Sequence, residues 1–212
     1  MVKEIITDLK LLEDRADEIN IKSNKKLVKK IICDLKDTIR AGNHFALAAP
    51  QIGYNARIIC LNFKGDLRIF INPIIAKSEG VKLSREMTPS IPGKEYIIPR
   101  NPTIICMYQT LLNHQGEANK FLDQAAFAFQ QANDCLNGVH LNDLGLEIDE
   151  NFDKATDEER EELLGFYLNT HLKSLEKELN KEISENEELN QIAKAAEFME
   201  KVQTGEVTLM KK

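Results

Sequence analysis

The side chains able to bind a metal or attack a carbonyl are few and widely spaced. Four cysteines (Cys33, Cys60, Cys106, Cys135) and four histidines (His44, His114, His140, His171) are spread over 212 residues. No CxxC, HExxH or HxH pair occurs, so the compact patterns that place two ligands on one ion are missing. Cys60 and Cys106 stand in the apolar runs RIICLNF and TIICMY, where a thiol acts as a small hydrophobe; buried free cysteines are expected rather than disulfides. Cys135 is the candidate nucleophile, a role that needs a base and a lowered thiol pKa. His140 follows five residues later, but Asn137-Gly138 interrupts the chain and predicts a strand at His140, so no base is evident.

The elements that must position these groups can be read from hydrophobic period. In 26–41, Leu27, Ile31, Ile32, Leu35 and Ile39 recur at helical spacing, with Gly42 as a stop. ARIICLNF, LRIFINPIIA and PTIICMYQTLL are short β-branched runs between Gly, Asn and Pro signals, and predict strands of an antiparallel sheet. Residues 119–138 predict a helix with Phe121, Leu122, Ala125, Phe129 and Leu136 facing inward. The expected class is α+β, with helices on one side of a sheet. From Thr156 the texture becomes helical only: Leu164, Leu168, Leu172, Leu175, Leu179 and Ile183 form one stripe. Ser184-Glu185-Asn186-Glu187 fits a capping box opening a second helix, with Leu189, Ile192, Ala193, Ala196, Met199 and Val202, that ends near Gly205. The expected domains are 1–155 and a C-terminal helical extension, 156–212.

Composition excludes several classes. At 42% hydrophobic and 29% charged, the chain is too apolar and too evenly charged for disorder throughout. No run approaches the roughly 18 apolar residues of a membrane span, and the opening MVKEIITDLKLLEDRADEIN is too charged for a signal peptide, so the cytoplasm is expected. Residues 147–212 carry 18 acidic and nine basic groups, against 16 and 19 in residues 1–146. An acidic tail on a mildly basic body makes nucleic acid an unlikely partner for the tail.

Three stretches, in order and at matching spacing, resemble the peptide deformylases, metal-dependent hydrolases that remove the N-formyl group from new bacterial polypeptides. His44-Phe45-Ala46-Leu47-Ala48-Ala49-Pro50-Gln51-Ile52-Gly53 is similar to GxGLAAPQIG. Glu86-Met87-Thr88-Pro89-Ser90-Ile91-Pro92-Gly93 is similar to EGCLSIPG, and Gln130 to Val139 to QHExDHLNGV. Phe70-Ile71-Asn72-Pro73 and Ile98-Pro99-Arg100 also fall where the family has like segments, and the resemblance covers about residues 1–172. It implies antiparallel sheets packed on a central helix. It further implies that the metal's cysteine ligand corresponds to Thr88, its two histidine ligands to Gln131 and Cys135, and the proton-carrying glutamate to Ala132. Gln51 matches the residue that steadies the developing oxyanion through its side-chain amide.

Thr and Gln are weak ligands for a soft divalent ion, and alanine carries no proton. The expectation is therefore a degenerate former site, Gln51, Thr88, Gln131, Ala132 and Cys135, with no catalytic residue, no metal and no cofactor. A replacement site from Cys135, His44 and Gln131 is less favoured than simple packing of Cys135. Ala46 and Met87, in place of family glycines, are expected to narrow the peptide groove. The leading expectation is an inactive, deformylase-like subunit that binds other proteins through the helices of 156–205. Lys outnumbers Arg 21 to 7, a vocabulary of AT-rich genomes that suggests a bacteriophage virion or tail baseplate within the host cytoplasm. The alternatives are a ribosome or nascent-chain binder, after the family's C-terminal helix, and a divergent hydrolase with residual deformylase activity that uses Cys135.

Overall fold

The computed structural model describes the backbone of residues 1–185 and the side chains of 1–170, 173 and 177. It divides into two compact units, Met1–Lys154 and Ala155–Lys212.

Helix α1 (Lys25–Gly42) buries Val28, Ile31, Ile32, Leu35 and Ile39. Leu27 is 43% exposed, so Val28 opens the stripe in its place. The helix ends where Asn43 takes a left-handed conformation, φ 49°. Strands β1 (Ala46–Ala48), β2 (Ile58–Phe63) and β3 (Asp66–Glu79) follow, then β4 (Lys82–Thr88), β5 (Ile91–Arg100), β6 (Thr103–Gln109) and β7 (Glu117–Leu122). Helix α2 (Asp123–Leu136), the short α3 (Leu141–Leu144), β8 (Leu146–Glu147) and α4 (Glu150–Lys154) complete the first unit. All strand pairs are antiparallel, in a five-stranded sheet ordered β1-β2-β3-β6-β7 and a three-stranded sheet ordered β4-β5-β8. The class is the expected α+β, with antiparallel sheets around a central helix.

The unbroken apolar run of β2 has a simple cause. Ile58 and Cys60 pack with α1, whereas Ile59 and Leu61 pack with α2. Successive side chains point to opposite faces, so a strand covered on both faces has no polar alternation to show. The expectation of helices on one side is thus corrected: α1 and α2 cover opposite faces of the larger sheet.

The expected helix over 119–138 is also corrected. Residues Glu117–Leu122 form β7, with Phe121 opposite Ile104, and the helix begins only at Asp123, φ 45°. Phe121 is buried but Leu122 is 55% exposed, the alternation of a strand rather than a helical stripe. Pairing with β6 is a non-local interaction that a local period does not reveal. Phe121 then joins Phe70 and Phe129, whose ring centroids lie 5.3–5.6 Å apart, to form the core between sheet and α2.

Past α2, Gly138 takes φ 74°, and a Cβ there would stand 1.9 Å from the Glu13 carbonyl oxygen. Only glycine allows the N-terminal segment to pass this closely. The last carbonyls of α2 are used as well: Leu136 O accepts from Ala16 N at 2.8 Å and from Arg57 Nη1 at 3.2 Å. His140, expected in a strand, instead precedes α3, its backbone N–H donating to Asp143 Oδ2 at 2.9 Å.

In the second unit, α5 (Asp157–Glu185) matches the expected stripe in extent, and Leu164 and Leu168 are half-buried. Thr156 caps it, with Oγ1 accepting from Glu159 N at 3.2 Å and the Glu159 carboxylate accepting from Thr156 N at 2.8 Å. Ser184 lies within this helix and does not open a new one. The expected second helix and the side chains of Leu172, Leu175, Leu179 and Ile183 fall outside the described residues. Among the described residues, no helix is long and apolar enough to cross a membrane.

Phe129 is fully buried at the centre of this packing. Phe129→Ala should destabilise the protein by about 3–5 kcal/mol, measured by urea denaturation. A loss below about 1 kcal/mol would mean that α2 is not held by this cluster.

Candidate active site

Helix α2 is fastened on both sides before any site residue is considered. Its aromatic face is buried against the larger sheet. Its other face meets β4 and β5 through Arg100, whose guanidinium is 5% exposed. Arg100 Nε and Nη2 donate to the two oxygens of Glu86, each at 2.9 Å, and Nη1 donates to Asp134 Oδ2 at 2.5 Å. Burial by itself disfavours the charged guanidinium, but the bonds and charges of Glu86 and Asp134 outweigh it and raise the pKa of Arg100. Gln130 adds a second tie: its Oε1 accepts from Asn101 N at 3.1 Å and its Nε2 donates to Asn101 O at 2.8 Å.

These ties bring four of the five expected residues together. Gln51 stands on a single 3-10 turn, Ala49–Ile52, directly after β1. Its Oε1 accepts from Ala48 N at 2.9 Å, which orients the amide. Its Nε2 then donates to Thr88 Oγ1 at 3.2 Å and Ser90 Oγ at 3.1 Å, across the β4–β5 turn. Gln131 Nε2 donates to Met87 O at 2.9 Å. Thr88, Ser90, Gln131 and Cys135 line one small pocket of about 10 Å³, together with Asp134 and His140. The fifth residue, Ala132, turns away into the core with Phe129.

A groove lies above this cavity. About 330 Å³ is lined by His44, Phe45, Ala46, Met87, Thr88 and Gln131 among others, and a further 270 Å³ lies beyond Phe45 and Met87, beside Glu86 and Phe127. The expected narrowing by Ala46 and Met87 therefore leaves an open path of ligand-site size. His44 lines the groove and not the small cavity, and burial lowers its pKa, favouring the neutral ring.

A Cys-His-His metal centre does not fit the residues at these positions. Thr88 and Gln131 offer neutral oxygen and amide groups, already hydrogen-bonded to Gln51 and to Met87. Burial pushes the Cys135 thiol up to about 12, so it stays protonated where a metal ligand or nucleophile must be a thiolate. Among the described residues, no three His, Cys, Asp or Glu side chains converge on an ion site. The same burial removes Cys135 as the nucleophile of a hydrolase.

Of two further site residues, Ser90 was not singled out from the sequence, and His140 was set aside there because a strand was expected at its position. Ser90 shares Gln51 with Thr88, and His140 lines the pocket. His140 is 7% exposed and its Nε2 has no hydrogen-bond partner. An isolated polar residue directly after an apolar valine was the available signal.

Residues 2–146 match the sequence profile of the polypeptide deformylase family. The peptide deformylase of Dictyoglomus turgidum is 31% identical over 148 residues, 68% of this chain and 95% of that protein. That of Pseudothermotoga lettingae is 35% identical over 150 residues, 68% of this chain and 83% of the relative. The peptide deformylase structure from Thermotoga maritima superposes with a TM-score of 0.65 at 25% identity, covering 69% of this chain and 99% of that one. The chain belongs to the peptide deformylase family. This overturns the expectation of an inactive structural subunit, and with it the virion and baseplate assignment: the relatives are enzymes, and none of these matches is to a structural protein. What the replaced residues establish is narrower, namely that the Cys-His-His and glutamate set is absent from those four positions.

Iodoacetamide on the native protein near pH 8 should modify exposed Cys33, itself a departure from the expected burial of all four thiols, well before Cys60, Cys106 and Cys135. Peptide mass spectrometry reads the order, and rapid alkylation of Cys135 would show that its thiol is neither buried nor protonated as described.

Proposed function

We propose that this chain is a divergent hydrolase of the deformylase family that removes a formyl group from the N-terminus of a peptide lying in the groove beside Met87. The observation that carries this reading is Gln51. It is 3% exposed, held by Ala48, and has its amide donor directed at the β4–β5 turn next to the groove. A fixed N–H donor at this point suits the oxyanion that forms when the formyl carbon becomes tetrahedral. Its bonds to Thr88 and Ser90, at 3.2 and 3.1 Å, are neutral pairs. An oxyanion is the stronger acceptor and can displace them. Exposed Met87 and Phe45 beside the groove suit an apolar side chain such as the methionine that begins a nascent peptide.

The full chain should release formate from formyl-Met-Ala-Ser, followed by a coupled formate assay. Gln51→Ala should lower kcat by about 100-fold or more with a smaller change in KM. The reading fails if the purified chain releases no formate above the uncatalysed rate.

A further inference from the structure

His44 stands where the pattern that the first motif resembles has a glycine, so this groove carries a ring where that pattern has no side chain. The backbone there is held on both sides. His44 N donates to Ile39 O at 3.1 Å, and His44 O accepts from Asn62 Nδ2 at 3.3 Å. The ring rests on the last residue of α1. A Cβ at Gly42 would stand 2.1 Å from His44 Nε2, so the missing side chain at Gly42 is what leaves room for the ring. The seat of the ring is thus built into the turn from α1 to β1.

The half-buried ring lines the groove without being used by the fold. Burial alone lowers its pKa; no neighbouring charge and no hydrogen bond contributes. Thr88 and Gln131, which line the same part of the groove, are already bonded to Gln51 and to Met87 O. No described Asp, Glu, Lys or Arg lines it.

We propose that His44 is a specificity-determining residue, whose ring N–H donates to a carboxylate side chain on the second or third residue of the bound peptide; this rests on the reading above that a peptide lies in the groove. The first side chain belongs in the space beyond Phe45 and Met87, which His44 does not line. The residues after it pass through the part that His44 does line. A neutral imidazole carries one N–H, on either nitrogen, and serves as a donor without gaining a proton. A carboxylate is the acceptor that suits it best. Such charge-assisted bonds are about twice as strong as neutral ones, and no acidic group in this lining repels the ligand. A lysine side chain finds no opposite charge here, and an apolar one leaves the ring N–H without a partner.

The test is isothermal titration calorimetry of the full chain with peptide amides that lack the formyl group and so are not consumed. Met-Asp-Ser-amide or Met-Ala-Asp-amide should bind about tenfold more tightly than its asparagine counterpart, Met-Asn-Ser-amide or Met-Ala-Asn-amide. The ratio is read within each protein, so a general change in affinity does not imitate it. His44→Ala removes the donor and should bring the ratio to about one. Gly42→Ala keeps His44 but displaces its ring, and should abolish the preference as well; position 42 is helical, where alanine is well tolerated. Equal binding of acidic and amide peptides by the parent, or a preference that survives in either variant, overturns the inference. Formate release from formyl-Met-Ala-Ser is followed in parallel. Formate without the preference leaves the hydrolase reading intact and overturns the role of His44. The preference without formate does the reverse, and neither peptide binding nor formate overturns both.

Discussion

Arg100 is buried between Glu86 on β4 and Asp134 on α2, and the arrangement of the site depends on that ion cluster staying closed. The larger sheet holds α2 through Phe129, a non-directional apolar contact. The smaller sheet holds it through one guanidinium: Glu86 fixes Arg100 with two bonds inside the sheet, and Arg100 reaches Asp134 on the helix with the third. Removing one member would leave a buried charge unmatched, which is far more costly than never burying the group. The cluster therefore sets the position of the β4–β5 turn over the helix, and with it where Thr88 and Ser90 meet Gln51.

Once α2 lies between two sheets, every polar group on it must find a protein partner or a trapped water. Gln130 is satisfied by Asn101, and Gln131 by the Met87 carbonyl. Cys135 adapts in another way, by remaining a neutral thiol. His140 Nε2 and Asn133 Oδ1 are the described side-chain atoms left buried without a protein partner, and of the two residues only the histidine lines the small pocket. Family membership and the residues at these positions stand together: a buried, oriented Gln51 amide and an open groove are present, whereas Thr88, Gln131, Ala132 and Cys135 occupy the positions that resemble the family's ligand and glutamate positions.

Much of the fold was legible in the chain. The stripe of α1, the runs of β2, β3 and β6, and the extent of α5 rest on local period and turn residues, and each lies within a few residues of its expected place. The departures are those that depend on distant partners. Strand β7 was hidden because Phe121 acquires its strand character by pairing with Ile104. Strands β4 and β5 carry Arg, Glu and Ser on faces that are buried only because Arg100 and Gln51 meet them there.

The sequence by itself determined the family, the α+β class and the identity of the groups at the positions that resemble the family's ligand positions, because ordered motifs and residue types need no coordinates. Only the tertiary structure decided what those groups do. Burial fixed the state of the Cys135 thiol, and the turn at Gly138, tight against Glu13, carried His140 back beneath the helix that precedes it. Five residues of separation could not convey that return, because it depends on a backbone approach made by a segment more than a hundred residues earlier.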